Sequence, residues 1–430
     1  MTLVIIQEYL LTYTSFIYLA ATFCYIFYLG KRSEGVVFAG AALGILGVLL
    51  HTAALAFRWM AAGIEHPPFT NLYESLIFFG WGIVVFYLYM ELRYKVKIAG
   101  AFVFPIALAA MGIAVTHQKG IMPLPDALKS WWLHIHVVFA AIAYAAFVVA
   151  FAFSLMFLIK DRVSRAVFGL VVSVIVSLGL LLLQLRAGAT HLATFFLREA
   201  QFHAGRWFPV IVPGTNPPEY HLKSIPYAGP LILTTVVLLA TAAMVFGVHL
   251  MRESKLLERL GGYLMTLGSV TLMAAISITV YYAWKMPDVK LRIEPFLLTL
   301  LGFLCLSCWG VVFLYYKGRD FTDRLPPVDT LDLLGYRSVM VAFPLMTIVI
   351  VTGAVWAQSA WGRYWGWDPK ETASLVTWIV YAVYLHMRVV AGWKERPSAV
   401  INIIGFLSVI FTYLGVNVFL SGLHSYAKSF

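Results

Sequence analysis

Apolar residues run along this chain in blocks of about twenty, separated by short polar or basic segments. A helix needs that many consecutive apolar residues to cross the hydrocarbon layer of a bilayer. Twelve such blocks predict twelve helices, at roughly 5–29, 35–57, 71–92, 98–116, 132–159, 166–189, 228–250, 262–284, 295–316, 338–358, 371–391 and 399–420. The first block lacks a charged start and a small-residue cleavage site, so it reads as a membrane span and not as a signal peptide. The pattern predicts an all-α, polytopic transmembrane helical bundle, with no soluble domain and no low-complexity linker.

Composition agrees. Of 430 residues, 61% are hydrophobic, 16% aromatic and only 12% charged, about half the charge of an ordinary soluble domain. That excludes a soluble enzyme and a disordered chain. Three cysteines make no disulfide framework. The net charge of +11 is a statement about orientation before it is one about nucleic acid. Of the 31 Lys and Arg, 18 fall in one alternate set of short loops: Lys31 and Arg32, Arg93 to Lys97, Lys160 to Arg165, Arg252 to Arg259, Lys317 to Arg337, and Arg388 to Arg396. Short basic loops stay cytoplasmic, which predicts both termini on the non-cytoplasmic side. No nucleic-acid partner is expected; the lipid bilayer is.

The outward side then collects the unusual residues: Arg58–Thr70, Thr116–Trp132, His191–Tyr227, Trp356–Glu371 and the tail after Leu420. The densest is Trp361-Gly362-Arg363-Tyr364-Trp365-Gly366-Trp367-Asp368-Pro369-Lys370-Glu371. Trp and Tyr belong at any membrane interface, but an interfacial belt is spread over many helix ends. Three Trp and one Tyr crowded beside two glycines form a flat apolar shelf suited to a large planar ligand. Asp368, Pro369 and Glu371 have the spacing of an N-cap, a first-position proline and a capping-box acid, so they are expected to start a helix. Asn71-Leu72-Tyr73-Glu74 repeats the arrangement. Arg363 and Lys370 are cations beside the shelf, able to hold ligand carboxylates.

His136 lies at the outer end of the fifth block and His424 just past the last. Two imidazoles at one depth beside an aromatic shelf describe axial ligation of a haem iron. His134, two residues from His136, cannot share its helix face. His386 lies inside the eleventh block, where an ionisable residue is a functional candidate. Its possible partner in this chain is His51, but a rise of ~1.5 Å per residue puts the two on the order of 10 Å apart in depth. A partner protein supplying the second ligand is the alternative. His191, His203 and His221 read as solvated loop residues. Cys305-Leu306-Ser307-Cys308 sits in an apolar block, where burial dulls thiol reactivity.

These stretches resemble the CcsA/ResC-type membrane subunit of the system II cytochrome c synthase, within the wider haem-handling superfamily. The resemblance rests on Arg58-Trp59, His66-Pro67 and Asn71 to Leu76; on Trp132 to Val137; on Leu331-Asp332 and Gly335 to Arg337; on Gly353 to Ala357; on Trp361 to Glu371; and on Tyr413 to Asn417 with Gly422 to Tyr426. It covers about half the chain, and Trp-Asp-Pro-Lys-Glu is its most specific part.

The resemblance implies that Trp356, Trp361, Tyr364, Trp365, Trp367 and Asp368 hold haem b on the outer face, with His136 and His424 as axial ligands and His386 meeting haem in transit. It implies an inner or plasma membrane location and a CcsB/ResB-type partner subunit. It also implies the activity, joining haem vinyl groups to the Cys-x-x-Cys-His thiols of apocytochrome c. Residues 165–316 stand apart from that pattern. Their four apolar blocks leave the flanking topology unchanged and suggest an insertion between 1–164 and 317–430.

No residue suggests a general base, so templating is the expected mechanism. Two other functions fit a helical haem protein. A quinone-reactive haem b electron-transfer subunit would want two level His pairs. A haem transporter without ligation activity would want broken helices at mid-membrane.

Overall fold

The computed structural model describes residues 2–63, 65–115, 121, 124–161, 165–186, 195–198, 200–203, 206–209, 222–225, 227–285, 310, 312, 315–317, 322–416 and 422. In chain order its helices are α1 (Thr2–Lys31), α2 (Glu34–Ala62), α3 (Leu72–Tyr94), α4 (Gly100–Val115), α5 (Trp131–Lys160), α6 (Arg165–Arg186), α7 (Ala228–Arg252), α8 (Lys255–Lys285), α9 (Val328–Trp361), α10 (Pro369–Val389) and α11 (Arg396–Ile410), which runs on into a π turn at Phe411–Gly415. Among the described residues, nine helices are long and apolar enough to cross a membrane. The chain is an integral, multi-pass membrane protein. The ninth apolar block, 295–316, and the Cys305–Cys308 pair fall almost wholly outside the described residues.

The chain forms two compact units, Met1–Arg162 with Phe321–Phe430, and Val163–Asp320. In the second, α7 packs between α6 and α8 around Ala166, Leu239, Phe246, Met265 and Tyr315. One feature departs from the all-α expectation. The loop before α7 contains two short antiparallel pairs, β1 (Phe195–Arg198) with β4 (Leu222–Ile225) and β2 (Ala200–His203) with β3 (Arg206–Pro209).

In the first unit α5 is the central helix, packed along α9 and against α3 and α11. From Ala141 to Phe157 it is buried on nearly every side, with Ala143, Ala145, Ala146, Ala150 and Ala152 letting neighbours approach closely. The far end of this unit is tied by Arg388 of α10. Its guanidinium reaches Asp332 of α9 through two parallel bonds of 2.6 Å and lies 4.6 Å over the Tyr336 ring. Forked pairing of this kind is the strong form of a charge-assisted bond.

Candidate functional site: an aromatic cavity around His136

At the opposite end, α3, α5, α9, α10 and the π turn after α11 enclose an open cavity with about 1290 Å³ between its walls, part of it outside the protein. One wall is α5, where His136, Ala140 and Tyr144 recur every fourth residue on one helix face. The α9 wall presents Val349, Gly353 and Ala357 with the same periodicity, and Trp356 beside them.

His136 is held by α9. Its Nδ1 lies 2.8 Å from the Val349 carbonyl. A carbonyl only accepts, so Nδ1 donates, which in the neutral tautomer leaves the lone pair on Nε2. Metal-binding histidines are oriented in this way. The ring is seated against Gly353, where a Cβ would come within 2.8 Å of Cε1. It also stacks on Trp356, 6.2 Å between centroids and 22° from parallel. Trp356 is itself buried, donates to the Ala127 carbonyl at 2.8 Å and packs with Leu128, Leu133 and Trp361.

The Trp-rich segment divides into parts with different surroundings. Tyr364, Trp365 and Lys370 line the cavity, whereas Trp361 packs behind Trp356, 4.8 Å between centroids. Trp367 is 70% exposed and meets Trp365 edge-on. Its φ of 56° is uncommon for a bulky side chain. Arg363 does not line the cavity; it folds over Gly366, whose missing Cβ makes the space.

The helix start expected after this segment is present. Asp368 caps α10 and accepts from Lys370 N at 3.0 Å, while Glu371 accepts from the backbone N–H of Gly366 at 2.8 Å and of Asp368 at 3.1 Å. Asn71 likewise caps α3 by accepting from Glu74 N at 2.9 Å. Glu74, however, does not turn back to Asn71; it bonds Thr70 and Arg58.

The other histidines lie elsewhere. His134 points away from the cavity, edge-on to Trp131 and Phe69. His51 is wholly buried, 3.4 Å from the Tyr18 hydroxyl. His386 is exposed on the outer face of α10, in line with Ile379, Val383 and Val390. His424 lies outside the described residues, but Gly422 is placed: a Cβ there would be 2.3 Å from Asp368 Oδ2. Gly422 therefore lies directly against the α10 cap. Sequence reading missed Phe69, Phe78 and Ser75 on α3 and its approach, Tyr144 on α5, and Tyr413 in the π turn, whose hydroxyl donates to Ser75 at 2.9 Å. Tyr144 was detectable, two turns from His136 on the same face.

Comparison with known proteins decides the family. The model of a family described as "Cytochrome C assembly protein" matches residues 69–424, most of the chain. The chain is a CcsA-type member of the cytochrome c assembly protein family. It is 31% identical over 393 residues to the cytochrome c biogenesis protein CcsA of Synechocystis sp., covering 90% of this chain and 87% of the relative. It is 30% identical over 439 residues to that of Picosynechococcus sp., covering all of both chains. It is 29% identical over 421 residues to that of Gloeobacter violaceus, covering 97% and 92%. This family member therefore acts in cytochrome c biogenesis.

Proposed function

We propose that this CcsA-type protein receives haem in the cavity and presents it for attachment to the Cys-x-x-Cys-His thiols of apocytochrome c. The observation that carries this reading is the His136 ring, with Nδ1 tied to Val349 and the Gly353 gap behind it, set in the wall of an aromatic cavity. The residues present fit haem b as a substrate. His136 offers an imidazole oriented through Nδ1, Phe69, Phe78, Tyr364 and Trp365 offer apolar faces, and Lys370 offers a cation for the propionates. His424, two residues beyond Gly422 at the α10 cap, completes the iron's axial pair in this reading.

Bound haem supplies two vinyl groups; each client thiol adds its sulfur to one vinyl carbon and its hydrogen to the other. The chain's contribution is to hold and orient. Glu371 is committed to two backbone amides and Glu74 to Arg58, so neither carboxylate is placed as a general base. Templating of this kind draws its acceleration from orientation.

In the same reading the chain crosses an inner or plasma membrane twelve times, with both termini and the cavity on the non-cytoplasmic side. His386, on an outer face of α10, meets haem in transit together with a ligand from a CcsB/ResB-type subunit.

The full-length protein is expected to purify with a bis-imidazole haem b spectrum. Mixed with reduced haem and a Cys-x-x-Cys-His apocytochrome peptide, in the presence of its partner subunit, it is expected to yield covalent product. Bound haem without covalent product makes it a transporter. Stoichiometric haem reduction by quinol makes it an electron-transfer subunit. Lys370→Met is expected to lower haem retention roughly tenfold, the scale of one lost bond between charged groups. Arg363→Met is expected to leave it near wild type; equal losses would contradict the division of the two cations seen here.

A further inference from the structure

Glu74 is buried to 1% exposure and takes no part in holding haem in the scheme above. One of its oxygens, Oε1, accepts from Arg58 Nε at 3.0 Å and Nη2 at 2.9 Å. The other, Oε2, accepts from the backbone N–H of Thr70 at 3.0 Å and from the Thr70 hydroxyl at 2.9 Å. A hydroxyl has one hydrogen, and this one goes to Glu74. Thr70 Oγ1 must therefore accept from His66 Nε2, 2.8 Å away. The order of donors is fixed from His66 through Thr70 to a carboxylate that Arg58 neutralises. Burial, with Arg58 adding and Glu74 opposing, pushes the His66 imidazole below its ordinary value, in keeping with a neutral ring that donates from Nε2.

These groups lie between the end of α2 and the start of α3. The loop joining them contains Pro67-Pro68, which has no N–H to give. Two backbone bonds lie within it, His66 N–H to the Gly63 carbonyl at 3.0 Å and Phe69 N–H to the Pro67 carbonyl at 2.8 Å, and the side chains beneath it anchor Thr70. On its other side the same loop is cavity wall: Phe69, Thr70 and Asn71 all line the space. Phe69 also meets the Phe78 ring at 5.5 Å and His134 at 5.9 Å, two residues from His136.

A buried ion pair is often no more stabilising than apolar residues of the same volume. What an apolar pair would not supply here is two acceptor sites for Thr70. We propose that Glu74 and Arg58 are positioning residues: through Thr70 they hold Phe69–Asn71 in place as cavity wall, and so set how tightly haem is retained. This rests on the haem reading above.

The test uses the full-length protein with haem bound, as Thr70→Val, Thr70→Ser and Glu74→Gln. Thr70→Val leaves the ion pair intact, so it remains informative even where Glu74→Gln fails to accumulate. Loss of one such bond to a charged group corresponds to about ten- to a hundredfold. Amide exchange at Phe69, Thr70 and Asn71 is expected to quicken by that factor in Thr70→Val and Glu74→Gln. Haem loss to an excess of scavenger is expected to quicken likewise, with the His136-ligated spectrum unchanged and Thr70→Ser restoring both. Unchanged exchange, or faster exchange with unchanged haem loss, overturns the proposal. A wild-type protein that binds no haem overturns the reading of the cavity instead, and amide exchange still decides whether Glu74 holds the loop.

Discussion

Gly353→Val is expected to deplete bound haem as thoroughly as His136→Ala, although it removes no ligand. A Cβ at position 353 would stand 2.8 Å from His136 Cε1 and 2.9 Å from Nδ1, far inside the 3.5–4.0 Å optimum for carbon contacts. The imidazole has to leave, and its bond to the Val349 carbonyl leaves with it. The helix itself has no reason to fail, because valine is a better helix former than glycine. The expected result is a protein that accumulates normally, carries at least about tenfold less haem and matures little cytochrome c; a typical metal affinity loss on disturbing an outer partner is about 10–100-fold. The ratio of haem absorbance to protein in purified material measures it. Full occupancy with an unchanged spectrum would mean that the iron does not sit on His136.

The second large effect concerns the other end of the first unit. Asp332→Ala removes the only carboxylate bonded to Arg388 among the described residues and leaves a guanidinium whose side chain is 8% exposed. Stranding a buried charge costs about 3–5 kcal/mol. It also releases the backbone N–H of Glu395, which donates to Asp332 at 3.1 Å, so α9, α10 and the start of α11 loosen together. Thermal unfolding in detergent should fall by several degrees. Asp332→Leu with Arg388→Met should recover most of the loss, because no charge is then left unpaired. If the double variant is as unstable as the single, the ion pair is fixing geometry that apolar packing cannot replace.

Much of this was readable before any coordinates. The helices follow from lipid thickness, which acts on composition alone and needs no knowledge of neighbours. The α10 cap was equally local, since Asp368, Pro369 and Glu371 solve a problem within four residues. The separation of His134 from His136 followed from helix periodicity. What stayed hidden depends on residues distant in the chain. Nothing near Glu74 announces Arg58, sixteen positions earlier, as its partner, and nothing near Tyr413 announces Ser75. The Trp-rich segment was legible as a unit but not in its parts. Trp361 and Trp367 look alike in sequence, yet one braces Trp356 and the other stands 70% exposed. Arg363 looked as good a cation as Lys370 until the fold over Gly366 took it out of the cavity.

The His136 seat joins chain segments 213 residues apart, and the Trp356 bond to Ala127 joins segments 229 apart. Both halves must leave the ribosome before either contact exists. At about 5–20 residues per second, α5 waits on the order of 10–40 s for α9. Throughout that interval its alanine-rich face, later covered by α9, has no native partner from the C-terminal part of the chain. The cavity is therefore among the last features to form during synthesis, complete only when translation is nearly finished.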